Sequence, residues 1–173
     1  MIGPPAFATR DLRVDSPLHQ NAATSRLIPE LAPLLTPEVL APLPPSLALP
    51  SGPQPHANWL AERIAESTVQ TVRARGTGTL VGLLITHGWA AGIEPPSVHL
   101  GYLFARASWG KGYATQLVQG LVQALSSSVP CTLIGGVDRD NPASARVLQK
   151  AGFDLDPHKS AQDTLIYVQA VGG

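Results

Sequence analysis

Leu103-Phe104-Ala105-Arg106-Ala107-Ser108-Trp109-Gly110-Lys111-Gly112-Tyr113-Ala114-Thr115 runs from an apolar, β-rich segment through a loop with two glycines straight into the most regular amphipathic stretch of the chain. Within and beyond it, Ala114, Leu117, Val118, Leu121, Val122 and Leu125 recur at helical spacing, with Thr115, Gln116, Gln119 and Gln123 on the other side. That pattern predicts a helix over 113–125. The first turn of a helix leaves backbone N–H groups unpaired and carries roughly half a positive charge, so a helix opening directly after a glycine loop is a cradle for an anion. Gly110 and Gly112 suit it, because a Cβ at either position would obstruct a close-lying diphosphate and oppose a turn with positive φ. A plain strand-to-helix turn explains the same glycines equally well.

Two other phosphate loops do not fit. A P-loop would need Ser or Thr after Lys111 and a glycine five positions before it, where the chain has Gly112 and Arg106. The dinucleotide fingerprint would need a third glycine at Thr115 and an acidic residue near position 132, where the chain reads Cys131-Thr132-Leu133-Ile134.

Upstream of the loop, Val98 to Ala105 predicts a strand, and Thr68 to Arg73 and Leu80 to Thr86 predict two more, joined as a hairpin through Arg75-Gly76-Thr77-Gly78. Before them, Leu60, Ala61, Ile64 and Ala65 sit at helical spacing, with Glu62, Arg63 and Glu66 on the opposite side. Downstream, Thr132 to Val137 reads as a short buried strand and Thr164 to Val168 as a closing one. Between them Asn141 caps a helix with Pro142 at its first position and Gly152 just past its end. A hairpin followed by strand, helix, strand, helix and strand gives an α/β chain of the mixed α+β kind, a mixed sheet flanked by helices.

The N-terminal part differs in kind. Twelve of the 17 prolines lie at or before Pro55, so regular elements there must be short. Arg26 to Leu31 predicts a first strand, and Pro37 to Leu40 a helical turn capped by Thr36. Residues 1–55 read as an irregular lid or wrap integrated with the fold and residues 56–173 as its core, one domain overall, since about fifty proline-broken residues would struggle to enclose a core alone. The whole chain has 173 residues, 44% of them hydrophobic. Twelve Lys and Arg balance twelve Asp and Glu, so no net field draws in nucleic acid or an anionic membrane. No run approaches the ~18 to 20 apolar residues of a membrane helix. A single cysteine, Cys131, and a start with neither a basic nor a long apolar stretch point to a reducing, cytoplasmic setting.

A second informative stretch is Val137-Asp138-Arg139-Asp140-Asn141-Pro142-Ala143-Ser144-Ala145-Arg146-Val147-Leu148-Gln149-Lys150-Ala151-Gly152-Phe153. Leu100-Gly101-Tyr102, Trp109 to Thr115, Asn141 to Ser144 and Lys150 to Phe153 together resemble the GNAT N-acetyltransferases, over about residues 56–168. Within them the pattern is similar to the branch that includes the ribosomal-protein N-terminal alanine acetyltransferases. The resemblance implies a mostly antiparallel central sheet in which two parallel strands, here Val98 to Ala105 and Thr132 to Val137, splay apart to admit acetyl-CoA as co-substrate. It places pantetheine along the backbone of Leu103, Phe104 and Ala105 as a partial strand addition. It places the diphosphate on Gly110, Lys111, Gly112, Tyr113, Ala114 and Thr115. Asn141 would touch the cofactor near its reacting end, with Ser144 one helical turn on, although capping alone also accounts for Asn141. The implied reaction is direct transfer of acetyl to a primary amine, either a protein N-terminus or a small molecule. Family members often pair subunits through edge strands, which implies a homodimer; neither a nucleic acid nor a membrane is among the implied partners, and no metal is.

The departures from the family pattern fall where the chemistry is decided. Ala107 replaces the usual Gln or Arg at the start of the loop, and Leu148 replaces the tyrosine with which many members protonate the departing thiolate. Leucine has no proton to give, which leaves Ser144 and Tyr102 as candidate donors beside water or the substrate's ammonium. His99, on a strand position where relatives often carry glutamate, is the candidate base, since imidazole titrates near neutral pH; His87 is the second choice. Cys131 reads as a small core residue, and His56, His99 and His158 lack the short spacing of a zinc site. Trp59 and Trp89 either line an acceptor pocket or pack in the core, and Lys111, Arg139 and Arg146 either meet phosphates or are solvated. Leu148 and the proline-rich half also fit an alternative, a non-catalytic acyl-CoA-binding regulatory module.

Overall fold

The computed structural model describes residues 3–89, 95–128 and 130–173. It opens with two short strands, β1 (Phe7–Ala8) and β2 (Leu12–Val14), and two one-turn helices, α1 (Ala22–Ser25) and α2 (Pro37–Leu40). Thr36 Oγ1 accepts a bond from the Val39 N–H at 3.3 Å and Pro37 holds the first helical position, so α2 starts as its sequence predicts. Arg26 to Leu31, predicted as a strand, is not one: Ile28–Leu31 forms a 3-10 turn. Pro29 has no N–H to give a ladder, and Leu27, Leu31, Leu34 and Leu35 recur at helical spacing with all four side chains buried.

A second 3-10 turn, Pro45–Leu47, precedes α3 (Pro55–Glu66) and the hairpin of β3 (Thr68–Ala74) and β4 (Leu80–His87). There follow β5 (Ser97–Phe104), α4 (Tyr113–Leu125), β6 (Cys131–Asp138), α5 (Pro142–Lys150), β7 (Asp154–Leu155) and β8 (Thr164–Val171). Among the described residues the eight strands form one sheet in the order β1-β2-β3-β4-β5-β6-β8-β7. Every neighbouring pair is antiparallel except β5 with β6.

Both faces of the sheet are covered. On one, Leu117, Val118 and Leu121 of α4 and Leu148 of α5 pack on Leu84, Val98, Phe104 and Leu133. On the other, Trp59 and Leu60 of α3 join Leu27, Leu31, Leu34 and Val39 over Leu83, Ile85 and Leu103. The proline-rich segment thus contributes a full share of the second core, held there by leucines rather than by regular structure. Helix α5 lies close enough to β6 that a Cβ on Gly135 would come within 2.7 Å of Leu148 Cδ1, so any larger residue there must displace the buried Leu148 side chain.

Pairing of β5 with β6 ends at Leu100 opposite Gly135. Strand β5 stays paired to β4 as far as Phe104, and β6 to β8 as far as Asp138. The two central strands therefore part beyond Leu100 and leave a wedge in the sheet.

Candidate active site

The register fixes which backbone groups face the wedge. Ala105 N–H donates to Val81 O at 2.9 Å, and partners in an antiparallel ladder alternate, so Ala105, Leu103 and Gly101 turn their backbone groups to β4 while Tyr102 and Phe104 turn theirs outward. Of Leu103, Phe104 and Ala105, the backbone that the resemblance assigns to pantetheine, Phe104 alone faces the wedge, and Tyr102 joins it. The Trp109 indole N–H already occupies Phe104 O at 2.9 Å, which leaves the N–H groups of Tyr102 and Phe104 and the carbonyl of Tyr102.

The wedge opens onto a cavity of about 600 Å³ that continues to the glycine loop. Gly110 and Gly112 adopt φ of 74° and 73°, left-handed values that favour glycine, and a Cβ on either would meet nothing within 4 Å. The first backbone bond of α4 runs from Gln116 N–H to Gly112 O at 3.1 Å, so among the described residues the N–H groups of Tyr113, Ala114 and Thr115 have no acceptor within the chain. Ala114 and Thr115 line the cavity directly. Gln116 fixes this first turn from behind: its Oε1 accepts from Thr9 Oγ1 at 2.8 Å and from Asp11 N–H at 3.1 Å, while its Nε2 donates to Asp11 Oδ2 at 2.7 Å. Lys111 is exposed, with Nζ 5.9 Å from the Tyr113 ring, and does not line the cavity.

A second cavity of about 480 Å³ lies deeper in the wedge, bounded by Leu100, Gly101, Gly135, Val137 and Leu148. Its remaining wall comes from the proline-rich segment, with Leu43, Pro44 and Leu47. Sequence reading missed this wall. It is pinned by α3, whose Trp59 indole N–H donates to Leu47 O at 2.9 Å and whose Arg63 Nη1 donates to Ser46 O. Arg63 is nearly buried, stacks 5.9 Å from the Trp59 ring and pairs with Glu66 at 3.2 Å. The sequence pattern puts Arg63 on the polar side of α3 with Glu62 and Glu66; the structure instead buries it beside Trp59, where its guanidinium serves the Ser46 carbonyl, and leaves Ala61 and Ala65 exposed.

The two cavities share Pro42, Leu43, Tyr102, Asp138, Asn141 and Ser144. Burial pushes the Tyr102 phenol above its ordinary value of 10, with the hydrogen bond to Ser144 opposing weakly, so the phenol keeps its proton near neutral pH. Asn141 does cap α5, its Oδ1 accepting from Ser144 N–H at 3.2 Å, and its amide nitrogen is left without a partner in the described chain. Asp138 Oδ1 accepts from Asp140 N–H at 2.9 Å. The neighbouring Arg139 does not neutralise it, because that guanidinium turns away to Gln162 O at 2.8 Å and Ala161 O at 3.2 Å.

Other predicted residues stand apart. His99 lines neither cavity; it lies on the exposed strand surface, its ring stacked on His87 with centroids 4.7 Å apart, so the placement expected of a base facing the amine is not met. Burial, then the neighbouring His87 and Lys159, hold its pKa below the ordinary 6.5. Leu148 is buried and lines the deeper cavity with no polar atom. Cys131 is a core residue whose thiol is pushed up by burial. Trp59 is fully buried, Trp89 donates from its indole to Thr86 Oγ1 at 2.9 Å, and neither lines a cavity. Arg146 is exposed and lines neither. Among the described residues no group of three His, Cys, Asp or Glu could hold a metal, and no helix is long and apolar enough to cross a membrane.

Comparison with known proteins bears on this geometry. A family model described as an acetyltransferase (GNAT) domain matches residues 23–154, a span that includes much of the proline-rich stretch. No match was found among curated protein sequences. Among solved structures, a GNAT-family acetyltransferase from Bacillus anthracis superposes with a TM-score of 0.67 at 16% identity, covering 96% of this chain and 97% of that one. Spermidine N-acetyltransferase from Vibrio cholerae, solved with CoA and spermine, gives 0.68 at 13% identity over 93% and 95%. RimL, a ribosomal alpha-N-protein acetyltransferase solved with coenzyme A, gives 0.67 at 15% over 96% and 98%. At these identities the likeness is one of fold.

Proposed function

The chain belongs to the family of GNAT-domain acetyltransferases, and from that premise we propose that it moves the acetyl group of acetyl-CoA directly onto a primary amine. The observation that carries the reading is the continuity of three parts: a cradle of unpaired amides at α4, a wedge edged by free strand amides, and a second cavity meeting the first at Tyr102 and Ser144. In this reading the diphosphate of acetyl-CoA rests on the amides of Tyr113 to Thr115, where the helix dipole favours negative charge. Pantetheine lies along β5 and pairs with the backbone of Tyr102 and Phe104. An N–H of the same edge polarises the thioester carbonyl and stabilises the oxyanion.

The amine enters from the deeper cavity, its ammonium gives up one proton to solvent, and the resulting neutral nitrogen attacks the carbonyl carbon. A C–N bond forms, and the intermediate collapses by breaking the C–S bond. Nitrogen loses one proton and sulfur gains one. Tyr102, kept protonated by burial, donates to the departing sulfur and takes up the proton released by nitrogen, with Ser144 beside it on both cavities. Tyr102 and Ser144 thus take the place that Leu148 cannot fill.

Purified chain incubated with acetyl-CoA and an amine panel tests the proposal, with free thiol as the readout. Thiol release that depends on amine is expected, and Tyr102→Phe should lower kcat by about hundredfold, within the usual range for a proton-transferring group. Unchanged kcat in that variant overturns the role of Tyr102. Leu148 favours a second reading, a module that binds acyl-CoA without turnover, which predicts binding but no thiol release. Failure of acetyl-CoA to raise the melting temperature overturns both.

A further inference from the structure

We infer that the acceptor is a primary amine with an apolar body and no second charge, and that Asp138 receives its ammonium. The inference rests on the transferase reading and specifies its second substrate. The deeper cavity is walled by Leu43, Pro44, Leu47, Leu100, Val137 and Leu148. Its glycines, Gly101, Gly135 and Gly136, add backbone but no side-chain charge. Among the described residues, the only ionisable side chains on it are Tyr102, which stays neutral, and Asp138.

Asp138 stands at the mouth shared with the wedge, where the nitrogen must arrive to reach the acetyl carbon. One of its oxygens is engaged by the Asp140 N–H; the other has no partner among the described residues, and Arg139 points elsewhere. Of the two carboxylates on the wedge cavity, Asp140 lines that cavity alone and Asp138 lines the recess as well, so one carboxylate facing a largely apolar recess matches one cation attached to a hydrocarbon body. A second ammonium, carried inward on the same chain, would lie among Leu43, Leu47, Leu100 and Leu148 with the neutral Thr164, Asn141 and Ser144 but no second carboxylate among the described lining residues, and a buried charge without a counter-charge is strongly unfavourable. Polyamines therefore fit this recess poorly, although spermine occupies a structure of the same fold. The apolar amine can be a free small molecule or the end of a peptide beginning with an apolar residue, since both bring the same group to Asp138.

The test compares 2-phenylethylamine, a tripeptide with an N-terminal leucine, and putrescine, by thiol release and by calorimetric binding to the chain saturated with CoA. At least one of the two apolar amines should exceed putrescine in kcat/KM by about hundredfold or more, the scale on which a pocket discriminates by complementarity. The faster of the two identifies the source. Leu47→Glu, which places a second carboxylate on the wall, should raise kcat/KM for putrescine at least about tenfold, and Leu47→Gln should not. Asp138→Asn should raise KM for the apolar amine while CoA binding is retained. Putrescine reacting as fast as the apolar amines overturns the acceptor class and leaves transfer standing. Apolar amines binding selectively without thiol release overturns transfer and leaves the acceptor class standing. No amine binding or reacting overturns the acceptor class.

Discussion

Replacing Gly112 by alanine separates the two reasons for a glycine at that position. Its φ of 73° is the left-handed conformation, which costs a residue bearing a Cβ roughly 1–2 kcal/mol. No other atom of the chain lies within 4 Å of the added methyl, so no packing clash adds to that strain. For a domain of this size the expected loss is about 2–8 °C in Tm, taking roughly 2–4 °C per kcal/mol. Ligand binding should suffer far more. The space that receives the methyl is the space above the free amides of α4, and pushing a diphosphate away from two of them forfeits about 1.5–3 kcal/mol per charged hydrogen bond. The CoA Kd should therefore rise by roughly 10² to 10⁴, at about 1.4 kcal/mol per tenfold. Gly78→Ala supplies the matched control, because Gly78 has the same φ of 73° and equally open surroundings but sits in the β3–β4 turn. Calorimetry with CoA and thermal melts on both variants decide the matter. Equal Tm losses with CoA binding impaired only by Gly112→Ala are expected; equal CoA affinity in the two variants would refute the cradle.

Two further predictions address the walls and the titratable strand. Arg63→Met keeps an apolar stem but removes the donor to Ser46 O, so it should destabilise the fold by about 1–3 kcal/mol and loosen the wall that carries Leu47. KM for the amine should rise several-fold with CoA affinity unchanged, and coupled loss of both would show that Arg63 acts only through global stability. His99 has a folded-state pKa below its unfolded one, so the unfolded chain binds more protons as pH falls through the ordinary histidine range. Stability should drop between about pH 7 and 5, where unfolded histidine with its pKa near 6.5 takes up the proton, and His99→Gln should flatten that drop in Tm measured against pH. Because the ring lines neither cavity, the same variant should keep kcat/KM within about threefold, well short of the hundredfold or more expected for a general base.

Long, strongly periodic segments were legible from sequence, and short ones were not. The stripe from Ala114 to Leu125 can only be buried as a helix, and the Asn141-Pro142 start and Gly152 stop bracket α5 by local chemistry alone. Strands β1 and β2, of two and three residues, carry no pattern long enough to read; their pairing depends on β3 being beside them. Arg26 to Leu31 reads as a strand on its apolar Leu27, Ile28 and Leu31, while Pro29 and Pro33 disguise the leucine spacing of a helical path. At the site, the loop glycines announced themselves through the backbone they require. The phase of the β5 ladder, which hands Tyr102 rather than Leu103 to the wedge, depends on the partner strand and is invisible in one chain read alone. Asp138 and the wall from Leu43 to Leu47 were hidden for a related reason: they line one cavity from positions far apart in the chain.

The four registered pairs from Ser97–Thr132 to Leu100–Gly135 are all the ladder that joins one half of the sheet to the other. A parting line so short makes the molecule a two-leaved book with a narrow spine, its leaves otherwise held by helices lying across them. Whatever fills the gap rivets leaf to leaf, so amide exchange along that spine should slow when CoA is loaded, even though no spine residue touches it.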